Sequence, residues 1–189
     1  MLALWLLELR AEFPGAQVTA EASGGRRLVE GLMQARLDIA VMHIAPEEPT
    51  LEVNRLMDDE LVLVTTDPNG GYEDRYVEIA WPMDAHAKAQ REELDARVRT
   101  TIDLGFSSVN YLIISQGAGY LPRRLIDPYV QAGQLYRVAG APTFNCPIYV
   151  VRRLGYEAPK AERALRILRD LASLAVKGEL PPPFWSQMG

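Results

Sequence analysis

One cysteine, Cys146, and two histidines, His43 and His86, are all that 189 residues contain of those types. A lone thiol cannot close an internal disulfide, which fits a reducing, cytoplasmic setting. The set is also too small for a metal centre: no His-Glu-x-x-His spacing occurs and no second cysteine accompanies Cys146. Gly117-Ala-Gly119 lacks the third glycine and preceding strand of a dinucleotide fingerprint, and no Gly-Lys-Ser/Thr follows it. No enzyme, cofactor or metal is therefore expected. Nor does any run approach the ~20 apolar residues of a membrane helix. Leu2 to Leu7 is not the core of a signal peptide, because no basic residue precedes it, Glu8, Arg10 and Glu12 follow at once, and Phe13-Pro14-Gly15 is no cleavage site. Basic excess is missing too: 20 Lys and Arg stand against 25 Asp and Glu, a formal charge of -5. Such a field repels phosphate backbones, so this chain alone is not expected to bind DNA tightly.

What is present is ordinary for a globular protein, with 48% hydrophobic and 24% charged residues. The length suffices for one substantial core or two lobes. Charge is unevenly placed. Glu47 to Asp84 holds eleven acids against two arginines, and Arg152 to Lys177 holds seven bases against three acids. These read as solvated faces of opposite sign, or as surfaces for lobe or subunit docking.

Hydrophobic spacing predicts alternating elements. Leu2, Trp5, Leu6, Leu9 and Phe13 form one helical stripe and Leu4, Leu7 and Ala11 a second, a helix apolar on two sides that ends at Pro14-Gly15. Gln17 to Ala22 alternates as a half-buried strand. Ser23-Gly24-Gly25 turns into a helix through Ala35, and Leu37 to Ile44 is near-continuously apolar, the pattern of an interior parallel strand. Strand, helix, strand in that order makes a right-handed crossover the default. Leu51 to Met57 and Glu60 to Thr66 are further strands, the second fully buried, and Asp67-Pro-Asn-Gly-Gly71 is a turn. Tyr76 to Trp81 and Val98 to Leu104 read as strands around a helix from Met83 to Val98. A hydroxyl of Ser107 or Ser108 is expected to cap a helix through Ser115 that Gly117-Ala-Gly119 breaks. Arg123 to Gln131 is a short helix closed by Gly133. Leu135 to Val138 and Ile148 to Arg152 read as strands joined by a proline-containing loop, and Pro159 opens a last helix ended by Gly178.

The order of local patterns resembles the effector-binding domain of LysR-type transcriptional regulators. The pieces are Phe13-Pro14-Gly15 before an alternating strand, Leu-Met-Gln-Ala-Arg-Leu-Asp-Ile-Ala-Val over 32–41, Asp59-Glu60-Leu-Val-Leu-Val64, and Gly117-Ala-Gly-Tyr-Leu-Pro122. The resemblance implies an α/β, two-lobed fold like type 2 periplasmic binding proteins. Lobe I would comprise 1–59 with 144–189 and lobe II 60–143, hinged near 58–62 and 140–147. It also implies a small organic effector in the cleft between lobes, and a homodimer or higher homo-oligomer using the first helix and following segment, at Leu4, Leu7, Ala11 and Thr19. DNA would be bound through a helix-turn-helix that family members carry before this point, and no membrane contact is implied. Members further have a first β-strand and a polar loop before the helix that opens this chain. In a sheet ordered 2-1-3 that strand would lie between Gln17 to Ala22 and Leu37 to Ile44, so the first strand of lobe I is expected to be missing here.

Effector contacts are expected where strands end and helices begin, since free N–H groups and the helix dipole favour anions there. Matching positions are Ser23, Gly24 and Gly25; Met42 and His43; Trp81, Pro82 and Met83; and Ser107 and Ser108. Each also has a plain reading as cap, turn or core. An extracytoplasmic solute-binding protein of the same fold and a truncated, non-functional regulator fragment stand as alternatives.

Overall fold

The computed structural model describes residues 1–81, 100–156 and 158–180. In chain order these form α1 (Leu2–Glu12), α2 (Gly25–Met33), β1 (Ile39–Met42), β2 (Leu51–Thr65), a 3-10 turn (Glu73–Arg75), β3 (Glu78–Ile79) and β4 (Thr101–Ile102). A second 3-10 turn (Gly105–Ser107), α3 (Ser108–Ser115), β5 (Ala118–Pro122), α4 (Arg123–Gln131), β6 (Tyr136–Arg137), β7 (Phe144–Arg153) and α5 (Pro159–Lys177) follow. The described residues divide into two compact units, 1–58 with 147–180 and 59–81 with 100–146. Two strands, β2 and β7, run from one unit into the other.

In the first unit β7 lies between β1 and β2. Because side chains alternate along a strand, each face of these strands packs a different helix. Ala40, Met42, Leu51 and Val151 point to α2 and meet Leu28, Val29 and the fully buried Leu32. Val150, with Ile39 and Val41, meets Leu165 and Leu168 of α5 and Trp5 of α1. The Trp5 indole N–H donates to the Ala164 carbonyl at 2.9 Å, and Arg163 of α5 pairs with Glu12 at 2.8 Å. Thus the first apolar stripe of α1 docks on α5, whereas Leu7 of the second remains 59% exposed. Arg153 ties the α2–β1 corner to β7, donating to the carbonyls of Leu32 at 2.9 Å and Leu37 at 2.8 Å.

In the second unit the outer half of β2 is paired antiparallel with β5, from Leu61 opposite Pro122 to Thr65 opposite Ala118, and with β6 at Val64 and Thr65. β3 and β4 pair in parallel. Leu61, Val64, Tyr120, Leu121, Leu112, Ile126 and Leu135, each at most 1% exposed, form its core. The Tyr120 hydroxyl, which must be satisfied at that depth, donates to the Pro142 carbonyl at 3.1 Å.

Several expectations are corrected. Gln17 to Ala22 is an exposed, irregular segment rather than a strand, so the crossover through α2 does not form. Alternation permits a strand, but only a partner's hydrogen bonds make one, and among the described residues this segment has none. β1 is antiparallel to β7 and stands at the end of its sheet, not parallel and interior. Its run is apolar because α2 covers one face and α5 the other, which an edge strand can also require. The two predicted strands over 51–66 are one, β2: Asp58-Asp59 makes no turn, because the buried Asp59 carboxylate accepts the Glu60 N–H at 2.8 Å and pairs with Arg124 at 3.4 Å. β7 begins at Phe144, taking in Pro147, whose missing N–H costs nothing where no partner needs it. The predicted Tyr76–Trp81 strand shrinks to Glu78–Ile79. The helix expected over 83–98 lies outside the described residues.

Candidate functional site

Each unit contains one group of the residues singled out from the sequence. In the first, α2 starts at Gly25 with Gly24 as its cap. Glycine has no side chain with which to accept first-turn N–H groups, so this helix start offers its donors and dipole to an outside acceptor. Ser23 is half-buried there and Gly24 and Gly25 are exposed. Neither glycine has any atom within 4 Å of a would-be Cβ, so the space beside them is open. At the end of β1, Met42 is buried against α2 and β7. His43 follows, half-buried, and donates its Nδ1–H to the Pro147 carbonyl at 3.2 Å. That bond fixes the ring plane at the strand end.

In the second unit Trp81 and the start of α3 are brought together. Trp81 is 8% exposed and belongs to the core around Val109 and Leu112. Its ring lies 6.2 Å from that of Phe106, tilted by 53°. Phe106 itself is 60% exposed, an aromatic face turned to solvent beside a buried one. The Ser107 hydroxyl does not cap α3 as expected. Ser107 closes the 3-10 turn with helical dihedrals (φ -73°, ψ -10°) and donates its N–H to Leu104, so it never adopts the extended geometry an N-cap requires. Ser108 is fully buried, and its hydroxyl has no hydrogen-bond partner among the described residues. An orphaned buried hydroxyl costs about 1–3 kcal/mol, and it stands at the positive end of a helix. Pro82 and Met83 lie outside the described residues.

Sequence reasoning missed Phe106. The signal available was a lone aromatic in a Gly-Phe-Ser-Ser run immediately before a helix, but nothing in it tells that the ring meets Trp81. Cys146 is fully buried. Burial, with Asp59 nearby as the smaller cause, pushes its thiol up to about 12, so it is no nucleophile at neutral pH. No group of three or more His, Cys, Asp and Glu capable of holding a metal occurs among the described residues, and no described helix is long and apolar enough to cross a membrane.

Residues 1–69 match the family described as LysR substrate binding domain. No curated protein sequence matches the chain. Among solved structures, the regulatory domain of HypT from Salmonella typhimurium is 17% identical, with a TM-score of 0.68 and 91% of each chain covered. That of MetR, a LysR family regulator from N. meningitidis, is 16% identical with a TM-score of 0.67, covering 95% of this chain and 89% of that one. Full-length LysG from Corynebacterium glutamicum with bound effector Arg is 19% identical, TM-score 0.66, and this chain spans 63% of it. At these identities the structures establish a common fold.

Proposed function

We propose that this chain, which matches the LysR substrate binding domain family over 1–69 and shares its fold with a LysR family regulatory domain over 95% of its length, is a non-enzymatic sensor that binds a small organic effector. The observation that carries this reading is the buried, unpartnered Ser108 hydroxyl at the start of α3, beside the exposed ring of Phe106. A carboxylate admitted to this helix start would satisfy the hydroxyl and the helix dipole, and an apolar or aromatic body would cover the ring. In the first unit, Ser23, Gly24, Gly25, Met42 and His43 are the positions assigned to the same task. In the second they are Trp81, Ser107 and Ser108, with Phe106 added; Pro82 and Met83, next in sequence to Trp81, are assigned with them. In this reading the hinge belongs near 58–62 and 140–147, and the effector would bias a population of conformations.

A thermal-shift screen of small organic acids and aromatic acids tests the reading. A ligand at about a hundredfold its dissociation constant stabilises by about 2.7 kcal/mol, roughly 5–11 °C at this chain length. Ser108→Ala and Phe106→Ala should each weaken such a hit at least about tenfold. Unchanged affinity in both variants would remove Ser108 and Phe106 from the site.

Self-association is assigned to the second apolar row of α1, at the half-buried Leu4 and the exposed Leu7 and Ala11, with the neighbouring exposed Thr19. DNA contact, in this reading, falls to a helix-turn-helix module, since a net charge of -5 disfavours it here.

A further inference from the structure

The second unit also carries a shallow, open cavity of about 420 Å³ with a mixed polar and apolar lining, formed by Thr66, Asp67, Arg75, Ile113, Gln116 and Gln134 among others. None of these belongs to the residues proposed above for the effector. Its volume is in the range that holds a small metabolite. Arg75 is exposed and forms no ion pair among the described residues, and neither does Asp67, so one cation and one anion line the same cavity without neutralising each other. Asp67 is held by its own turn, accepting the Asn69 N–H on Oδ1 at 2.9 Å, which leaves the rest of the carboxylate available.

The decisive residue is Gln116. It ends α3 in the left-handed region, at φ 52° and ψ 40°, a conformation that penalises any residue with a Cβ and that glycine adopts freely. Glycine is the usual residue at such a helix end. Here a glycine stands one position later, at 117, and the strained position keeps a side chain that lines the cavity. Gly117 is needed where it stands, since a Cβ there would meet Ser115 Oγ at 3.0 Å and Leu112 at 3.2 Å. A left-handed residue that keeps a long polar side chain on a cavity wall points to a use of that side chain. Gln116 and Gln134 each offer amide donors and acceptors, Arg75 matches a carboxylate, and Asp67 matches an ammonium group.

We propose that this cavity is a second binding site, for a small zwitterionic amino acid. Its carboxylate pairs with Arg75 and its ammonium group with Asp67, and the Gln116 amide bridges them. The site lies wholly in the second unit and does not depend on the effector reading above.

The test is an NMR titration of the full chain, labelled with nitrogen-15, with L-alanine and with its two halves, propionate and ethylamine. L-Alanine should bind with a dissociation constant on the order of 1 mM and shift the amides of Arg75, Gln116 and Gly117. Each half should bind at least about tenfold more weakly. Arg75→Gln and Asp67→Asn should each lose about tenfold in alanine affinity; in Asp67→Asn the amide oxygen still accepts the turn's N–H, so folding is retained. Gln116→Gly separates binding from structure: it relieves the left-handed strain, so melting temperature should hold or rise while alanine affinity falls. Absence of shifts at the cavity overturns the proposal. So does propionate binding as well as alanine, or a Gln116→Gly chain that binds alanine undiminished.

Discussion

Replacing Gly119 by alanine tests how closely the second unit is built. Gly119 sits in β5 opposite Val64 of β2. A Cβ there would lie 2.9 Å from the Val77 carbonyl oxygen and 3.1 Å from Cδ1 of Ile79. The isoleucine can rotate, but the carbonyl belongs to a backbone held in place, since the Val77 N–H donates to Ala118 at 2.8 Å and Tyr76 bridges Ala118 in parallel. Relief therefore requires β5 to move off β2 or the 76–79 segment to move outward, and both are packed against side chains at most 2% exposed, including Val64, Leu121 and Ile79. Overpacking of this kind costs about 1–3 kcal/mol, and the fixed carbonyl places Gly119→Ala in the upper half of that range. At this chain length the melting temperature should fall by roughly 4–12 °C. The assay is urea unfolding with hydrogen exchange, which assigns the loss to the unit concerned: protection should fall in 59–81 and 100–146 first. Gly15→Ala, with no atom within 4 Å of its Cβ, is the matched control. A Gly119→Ala midpoint within about 0.5 kcal/mol of the parent would refute the argument that close backbone approach requires this glycine.

Three further outcomes are expected. Arg153→Met leaves the Leu32 and Leu37 carbonyls without their charged donor and should cost about 2 kcal/mol, read by urea denaturation; an unchanged midpoint would show that water serves those carbonyls equally well. For Cys146, the folded thiol titrates at about 12 against an ordinary 9.0, so above pH 9 the unfolded chain loses a proton that the folded one keeps. Stability should then fall by up to about 1.4 kcal/mol per pH unit more in the parent than in Cys146→Ala, and parallel pH profiles between 9 and 11 would contradict the buried thiol. Leu4→Ala with Leu7→Ala should weaken self-association in sedimentation while leaving the fold intact, because Leu7 is 59% exposed; unchanged association would exclude α1 as the interface.

The helices were legible because each carries its own evidence. α5 shows apolar residues at helical spacing between Pro159 and Gly178, and its Ala161, Ala164, Leu165, Leu168, Ala172 and Ala175 are the ones buried. The Leu-Val-Leu-Val run of β2 was equally plain, and its residues are buried as expected. Strand pairing was not. Gln17–Ala22 and Ile39–Met42 both look like strands, yet one pairs with nothing described and the other stands at a sheet edge, because pairing depends on residues over a hundred positions away in β7. Within the candidate site, the helix starts at Gly25 and Ser108 could be located from turn residues alone. The failure of Ser107 to cap, the orphaned Ser108 hydroxyl and the contact of Phe106 with Trp81 could not.

Readable from the residues alone were most of the helices, the buried run of β2, the acidic balance that disfavours nucleic acid, and the ordered patterns that resemble one family. Local periodicity, turn chemistry and net charge are properties of neighbouring residues, and they survive without a fold. Only the tertiary structure decided which strands have partners, and that Arg75 and Asp67 share a cavity without pairing. It alone showed that Gln116 holds a conformation meant for glycine. Strand partners and the cavity, which joins 66–75 to 113–134, rest on distances that exist only once the chain has closed on itself, and the Gln116 dihedral is set by the packing around it.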